Sequence, residues 1–167
     1  MKSTILRPLV VAEAELLELA TLGNMNWCGE RLTIEDIQEK SEFAHYTKLA
    51  PERGDFGIVA ELNGQRVGVC WAVFLAQSDA GYGYIDQETP EISLWVDKGH
   101  CGRGLGRKLL EGLITEASRR GLAQVSLSVE PDNFAKSLYA SEGFQEVHGR
   151  EADGVMLLHL KESQTGR

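Results

Sequence analysis

The chain has 167 residues, 43% apolar and 25% charged, and its 25 acids against 17 bases give a net charge of −8. A chain of this length is expected to form one compact domain over 1–167 and to bury a core without disulfide or metal staples. The acidic balance argues against a nucleic-acid partner, which selects a basic surface, and suits a cationic substrate better.

Cys28, Cys70 and Cys101 are an odd number with no close pair, so neither a disulfide framework nor zinc spacing is visible, and no metal is expected. The segment Met1 to Pro8 has no apolar core of signal-peptide length. No apolar run approaches the ~18 residues of a membrane span, so a cytoplasmic protein with no membrane partner is expected.

Thr4 to Arg7 reads as a first strand stopped by Pro8. From Ala12 to Leu22, Leu16, Leu17, Leu19 and Ala20 recur at helical spacing, and Gly23-Asn24 supplies a stop. A second helix begins at Thr33, an N-cap with Asp36 three residues on, and runs towards Tyr46 or Lys48. Ala50 to Asp55 is a loop. Phe56 to Leu62 then leads through Asn63-Gly64, a strong hairpin signal, into Gln65 to Ala76. The middle of that strand is almost wholly apolar, which predicts an interior strand covered on both faces.

Asp79 to Thr89 carries no clear periodicity and reads as loop with a possible strand piece. Glu91 to Val96 is a strand. After a glycine-rich loop, Leu105, Leu109, Leu110, Leu113, Ile114 and Ala117 line one face of a helix that Gly121 caps. Gln124 to Val129 alternates as a strand. Asp132 or Asn133 caps a short helix to Glu142, and Phe144–Val147 and Val155–Leu160 close the domain as strands. The polar tail 162–167 is expected to fray. The order β-α-α-β-β-β-α-β-α-β-β predicts one α/β domain around a mixed central sheet.

The chemistry-bearing feature is the strand, loop and helix from Glu91 to Arg120. Gly99, Gly102, Gly104 and Gly106 let the backbone turn tightly, and the helix that follows presents free N–H groups and a positive dipole end. Arg103 and Arg107 add charge at its mouth. The prediction is a nucleotide-like ligand with a pyrophosphate. A P-loop is excluded because no Gly is followed by Lys and then Ser or Thr, which disfavours an ATP binder. The Rossmann fingerprint fails because Arg107 or Leu109 stands where a small residue is required.

Cys101-Gly102-Arg103-Gly104-Leu105-Gly106 resembles the coenzyme signature of the GNAT N-acetyltransferase family, with Cys101 at the position of the usual Gln or Arg. Asn133 to Phe144 is similar to a second element of that family, Asn, a small residue, Leu-Tyr and then Gly-Phe. The resemblance extends over nearly the whole chain. It implies the acyl-CoA N-acyltransferase fold, classed α/β (α+β), a mixed sheet of about six to seven strands flanked by about four helices. It further implies acetyl-CoA as co-substrate, lying in a splayed gap between the strands that end at Val96 and Val129. Leu94, Trp95 and Val96 would meet the pantetheine arm, the Cys101–Gly106 loop and Arg107 the pyrophosphate, and Asn133 and Tyr139 would complete the coenzyme site. A homodimer is also within what the family implies.

The reaction so implied moves an acetyl group to a primary amine of a small molecule or protein. An amine of pKa about 10.4 is almost wholly protonated at pH 7, so a base is needed. Glu91 is the first candidate, with Glu88 and Asp86 as alternatives. The leaving thiolate, of parent pKa about 8.5, needs an acid, and Tyr139 is the candidate. By resemblance the acceptor pocket draws on Asn26, Trp27, Tyr46, Tyr82, Tyr84, Glu88 and the turn His148 to Gly154; aromatics with Asp86 and Glu88 would suit a cationic amine. A covalent Cys101 relay with His100 lacks a third orienting residue. Cys28 and Cys70 read as packing residues. His45, His100, His148 and His159 read as surface or strand-edge residues. The competing reading is a non-catalytic CoA-binding sensor or regulatory module on the same fold.

Overall fold

The computed structural model describes residues 3–161; the tail expected to fray lies outside them. Seven strands form one sheet: β1 (Ile5–Pro8), β2 (Phe56–Leu62), β3 (Gln65–Val73), β4 (Glu91–Val96), β5 (Gln124–Ser128), β6 (Gln145–Glu146) and β7 (Val155–His159). Their order across the sheet is β1-β2-β3-β4-β5-β7-β6. Every neighbouring pair is antiparallel except β4 and β5, which run parallel.

The apolar run in β3 explains the layering. Its alternate residues serve opposite faces. Cys70 and Ala72 join Leu109, Leu110 and Leu113 of helix α4 (Leu105–Arg119). Val69, Trp71 and Val73 join Leu16 and Leu17 of α1 (Ala14–Met25) and Tyr46 of the helical segment that follows. The sheet therefore separates two cores, one under α4 and α5 (Ala135–Ser141) and one under the N-terminal helices. Leu109, Leu110 and Leu113 are fully buried, and each contributes roughly 1.5–3 kcal/mol through burial.

The hairpin at Asn63-Gly64 forms as expected, with φ of 54° and 78°. Thr33 caps its helix as expected, its hydroxyl accepting from Asp36 N–H while Asp36 accepts from Thr33 N–H.

Three expectations are corrected. The single helix from Thr33 is two, α2 (Ile34–Glu39) and α3 (Ser41–Thr47), divided at Lys40 with φ −77° and ψ 124°. Ile37 and Phe43 are both buried. On one continuous helix six residues would set them about 120° apart, and the break turns both inward. Helix α1 continues through Gly23-Asn24 to Met25 because Gly23 is there for space: a Cβ would lie 2.3 Å from the Trp95 indole nitrogen. The last-but-one strand shrinks to Gln145–Glu146 at the sheet edge. Among the described residues no helix is long and apolar enough to cross a membrane.

Candidate active site

The sheet opens between β4 and β5. These strands pair at a single position, Glu91 with Ser126, where Ser126 N–H donates to Pro90 O at 3.0 Å. Beyond it β4 stays paired to β3 along its whole length, from Glu91 to Val96. At the end of β5, Val129 N–H instead donates to Gly154 O at 3.0 Å. The β5-facing backbone of β4 is thus left without a strand partner, and a cavity of about 370 Å³ fills the gap. Ile92, Ser93 and Leu94 form one wall and Ser128, Val129 and Glu130 the other.

The glycine-rich loop precedes α4. Gly102 and Gly104 have φ of 78° and 76°, and a Cβ on either would meet nothing within 4 Å. Backbone conformation, and not lack of space, is what requires glycine here. The hydrogen bond from Lys108 N–H to Gly104 O opens the helix at 3.1 Å, which leaves the preceding N–H groups free to bind an anion. Leu105 is buried, so only its backbone faces the loop. Gly106 sits against Leu94, Val96 and Leu138.

The basic side chains are disposed differently from the simple picture of two arginines at the mouth. Arg107 is engaged by Glu142 and by Ser141 Oγ at 2.9 Å, so its charge is largely matched. Arg103 is exposed and lines a second cavity of about 210 Å³ with His100 and Lys108. His100 Nδ1 lies 3.0 Å from Asp97 Oδ2, while Cys101 Sγ faces the Val96 and Asp97 carbonyls. The cysteine–histidine pair needed for a covalent relay is not formed. Trp95 points to the opposite face of β4, over Gly23.

Glu91 and Tyr139 both line the cavity, Glu91 from the first position of β4 and Tyr139 from α5. Glu91 is 4% exposed. Its Oε1 accepts from Gly83 N–H at 2.6 Å, and the Tyr46 hydroxyl bonds the same carboxyl. Burial pushes the Glu91 carboxyl above its ordinary range; the Tyr46 and Gly83 hydrogen bonds act in the opposite direction. The Gly83 peptide is itself clamped, since its carbonyl accepts from Ser126 Oγ at 2.7 Å. Burial also raises the Tyr139 phenol, and no protein group hydrogen-bonds it among the described residues. Its ring meets Phe144 edge-on at 5.9 Å. Asn133 lines the cavity and accepts from Ala135 N–H at 2.9 Å in a local turn; the N-cap of α5 is Phe134, so neither Asp132 nor Asn133 holds the capping position expected of them.

The acceptor-side residues divide. Trp27, Tyr46 and Tyr82 line the cavity, with Tyr82 stacked on Tyr46 at 6.2 Å. Tyr84 packs on the N-terminal core, and its carbonyl accepts from Arg150. Glu88 and Asp86 are exposed and outside the lining, closing a local turn at 2.9 Å. Asn26 staples its own loop, bonding Arg31 N–H, Leu32 N–H and Leu32 O. His148 is exposed beside Glu151. Cys70 is buried as expected, whereas Cys28 is exposed beside Arg31 and does not pack. His45 is buried, contrary to the expectation of a surface residue. Sequence reasoning missed Glu130 and Arg31, which meet across the cavity, and the Gly83–Ser126 clamp. Nothing in the local pattern marks these contacts, because each joins segments far apart in the chain.

Residues 20–144 match the model of the acetyltransferase (GNAT) family. The chain belongs to this family. Among curated relatives it is similar to the [ribosomal protein bS18]-alanine N-acetyltransferase of Escherichia coli, 43% identical over 60 residues, which are 35% of this chain and 40% of that protein. It is also similar to the L-methionine sulfoximine/L-methionine sulfone acetyltransferase of Salmonella typhimurium, 46% identical over 57 residues, 34% of this chain and 33% of that one. The chain thus spans less than half the length of the curated relatives it matches. Among solved structures, the acetyltransferase yncA of Salmonella typhimurium, determined with acetyl-CoA, aligns at TM-score 0.66 and 24% identity over 99% of this chain and 98% of that one. The PaiA N-acetyltransferase of Thermoplasma acidophilum, in complex with coenzyme A, aligns at 0.67 and 17% over 94% and 99%. These likenesses establish the GNAT acyl-CoA N-acyltransferase fold, here with seven strands and five α-helices among the described residues.

Proposed function

We propose that this GNAT chain is an acetyl-CoA-dependent N-acetyltransferase acting on a primary amine by direct transfer. The observation that carries the reading is the meeting of Glu91 and Tyr139 on one cavity, at the point where β4 and β5 part. A CoA-binding sensor would not require a buried carboxyl and a buried phenol on the same void. The chain's own groups fit the coenzyme: free N–H groups before Lys108 suit a pyrophosphate, and the unpaired edge of β4 suits the amides of a pantetheine arm. Leu94, Val96, Asn133 and the Cys101–Gly106 loop are the residues that would hold it.

Bound acetyl-CoA supplies a thioester carbonyl as the electrophile. Glu91 takes a proton from the acceptor ammonium, and its raised pKa brings it nearer the working pH of a general base. Tyr139 stays neutral at any working pH, so its phenol is available to donate a proton to the departing sulfur. Trp27, Tyr46 and Tyr82 give the acceptor an aromatic wall. The relatives' names direct the acceptor screen to an N-terminal alanine peptide and to L-methionine sulfone.

The test is a thermal-shift titration with acetyl-CoA, CoA and ATP, followed by thiol release with those two acceptors. Saturation at ~100 times Kd adds about 2.7 kcal/mol, several degrees in Tm for a domain of this size. A shift with both CoA species and none with ATP is expected. No shift with either CoA species rejects the reading.

A further inference from the structure

The segment Gly81-Tyr82-Gly83-Tyr84, which carries no helix or strand periodicity, lies as a strap over Glu91. Neither glycine has a positive φ, so each is there for space. A Cβ at Gly81 would lie 2.4 Å from the Tyr46 hydroxyl oxygen and 2.6 Å from Glu91 Oε1. One at Gly83 would lie 2.6 Å from the Leu127 carbonyl carbon. The strap is thereby pressed against the Glu91 carboxyl on one side and the backbone of β5 on the other.

Two strap residues act on that carboxyl, and one side chain stands behind each contact. Gly83 N–H donates to Glu91 Oε1 at 2.6 Å, and Gly83 O accepts from Ser126 Oγ at 2.7 Å. Ser126 is fully buried, and it is also the β5 residue paired with Glu91, its N–H donating to Pro90 O. It thus grips Glu91 from the backbone side and, through Gly83, from the side-chain end. Tyr82 N–H donates to the Tyr46 hydroxyl at 2.9 Å, and that hydroxyl bonds the Glu91 carboxyl. A phenol has one proton; with Tyr82 N–H already donating to its oxygen, that proton goes to Glu91. The Tyr46 hydroxyl is committed on both sides, and only its ring is left for an acceptor.

We propose that Ser126 and Tyr46 are positioning residues of this site: they lock the strap and hold the Glu91 carboxyl in one orientation for proton transfer from the acceptor. The inference rests on the N-acetyltransferase reading, in which Glu91 is the base. A buried carboxyl resists ionisation, and donors fixed on it favour the charged form. The charges of His45 on α3 and of Arg150 before β7 favour the same form. Arg150 is itself held by the Tyr84 carbonyl at 3.1 Å. Tyr82 faces the carboxyl from the strap, and Tyr139 stands on the same cavity from α5.

Two measurements test this. The first titrates Glu91 in the full chain by ¹³C nuclear magnetic resonance of labelled glutamate, its carboxyl signal being the one absent from E91Q. S126A frees the Gly83 carbonyl, and Y46F deletes one donor. Each should raise the Glu91 midpoint by about 0.5 unit or more, because a lost or loosened donor disfavours the carboxylate. A midpoint unmoved in either variant overturns the proposal. Should S126A fail to fold, Y46F, which keeps the ring, carries both measurements.

The second is steady-state kinetics with an N-terminal alanine peptide as acceptor probe. Ser126 lies outside the cavity lining, so S126A should lower kcat about 3- to 10-fold at pH 7 with KM little changed. The loss should narrow as pH rises, since the acid limb of kcat/KM moves with the Glu91 midpoint. In an E91Q background neither S126A nor Y46F should cost more than about twofold further in kcat, because each acts through the missing carboxylate. A pH-independent loss, or the full loss retained in E91Q, overturns the proposal. Failure of the wild type to acetylate the peptide, or full activity in E91Q, counts instead against the underlying reading, and the resonance measurement still decides whether Ser126 and Tyr46 hold the carboxyl.

Discussion

Arg31 and Glu130 meet across the cavity: Arg31 Nη1 donates to both carboxylate oxygens, at 2.9 and 3.1 Å, and Trp27 Nε1 donates to the same group. This clasp ties the loop after α1 to the segment after β5 and holds Glu130 below its ordinary pKa, Trp27 contributing most and Arg31 next. Both partners are half-exposed, so the pair adds little to stability. E130Q should lower Tm by no more than about 2–4 °C. It should instead raise the acceptor KM several-fold with kcat nearly kept, which steady-state kinetics beside a melting curve will read.

E91Q separates catalysis from stability. Removal of a general base costs typically about 10²–10⁴-fold in kcat. The stability effect has the opposite sign. A carboxyl whose folded pKa is raised binds more protons folded than unfolded, so the stability it favours is full below about pH 4.3 and lost as pH rises through the folded value. E91Q should therefore melt higher than the wild type at neutral and basic pH and coincide with it in acid. Melting curves from pH 3.5 to 8.5 check the crossover.

Tyr139→Phe deletes a phenolic oxygen that no group among the described residues bonds, and keeps the buried ring against Phe144. The fold should tolerate it, with Tm nearly unchanged. Loss of the proton donor should cost kcat on the order of 10–100-fold, the low end for a general acid because a thiolate leaves readily. A more acidic thiol leaving group in place of CoA should narrow the deficit.

Gly104→Ala isolates backbone geometry. With φ of 76° and nothing within 4 Å of the added Cβ, the substitution brings no clash, only the left-handed penalty of roughly 1–2 kcal/mol. Relief of that strain would turn the N–H groups before Lys108 away from their common target. Calorimetry should show CoA affinity falling more than tenfold, with a modest drop in Tm.

Local structure was legible wherever a short stretch carries its own physics. The spacing of Gly102, Gly104 and Gly106 before a helix predicts an anion site because turn and helix N-terminus are local properties. Thr33 with Asp36, and Asn63 with Gly64, fix their cap and turn within four residues. The unbroken apolar run in β3 announced two buried faces. The pattern misled where a residue serves a distant neighbour. Gly23 reads as a helix stop yet makes room for Trp95, and the break at Lys40 follows from what Ile37 and Phe43 must each reach.

The sequence by itself therefore determined the order of the strands along the chain, the glycine-rich loop before a helix and the family resemblance, all of which rest on contacts between near neighbours. Only the tertiary structure decided that β4 and β5 pair once and then part, and that Glu91 is buried under the Gly83 peptide. It alone brought Arg31 to Glu130 and His45 to Asp79. Burial and charge pairing depend on which surfaces the fold presses together, and those surfaces belong to segments that are far apart along the chain.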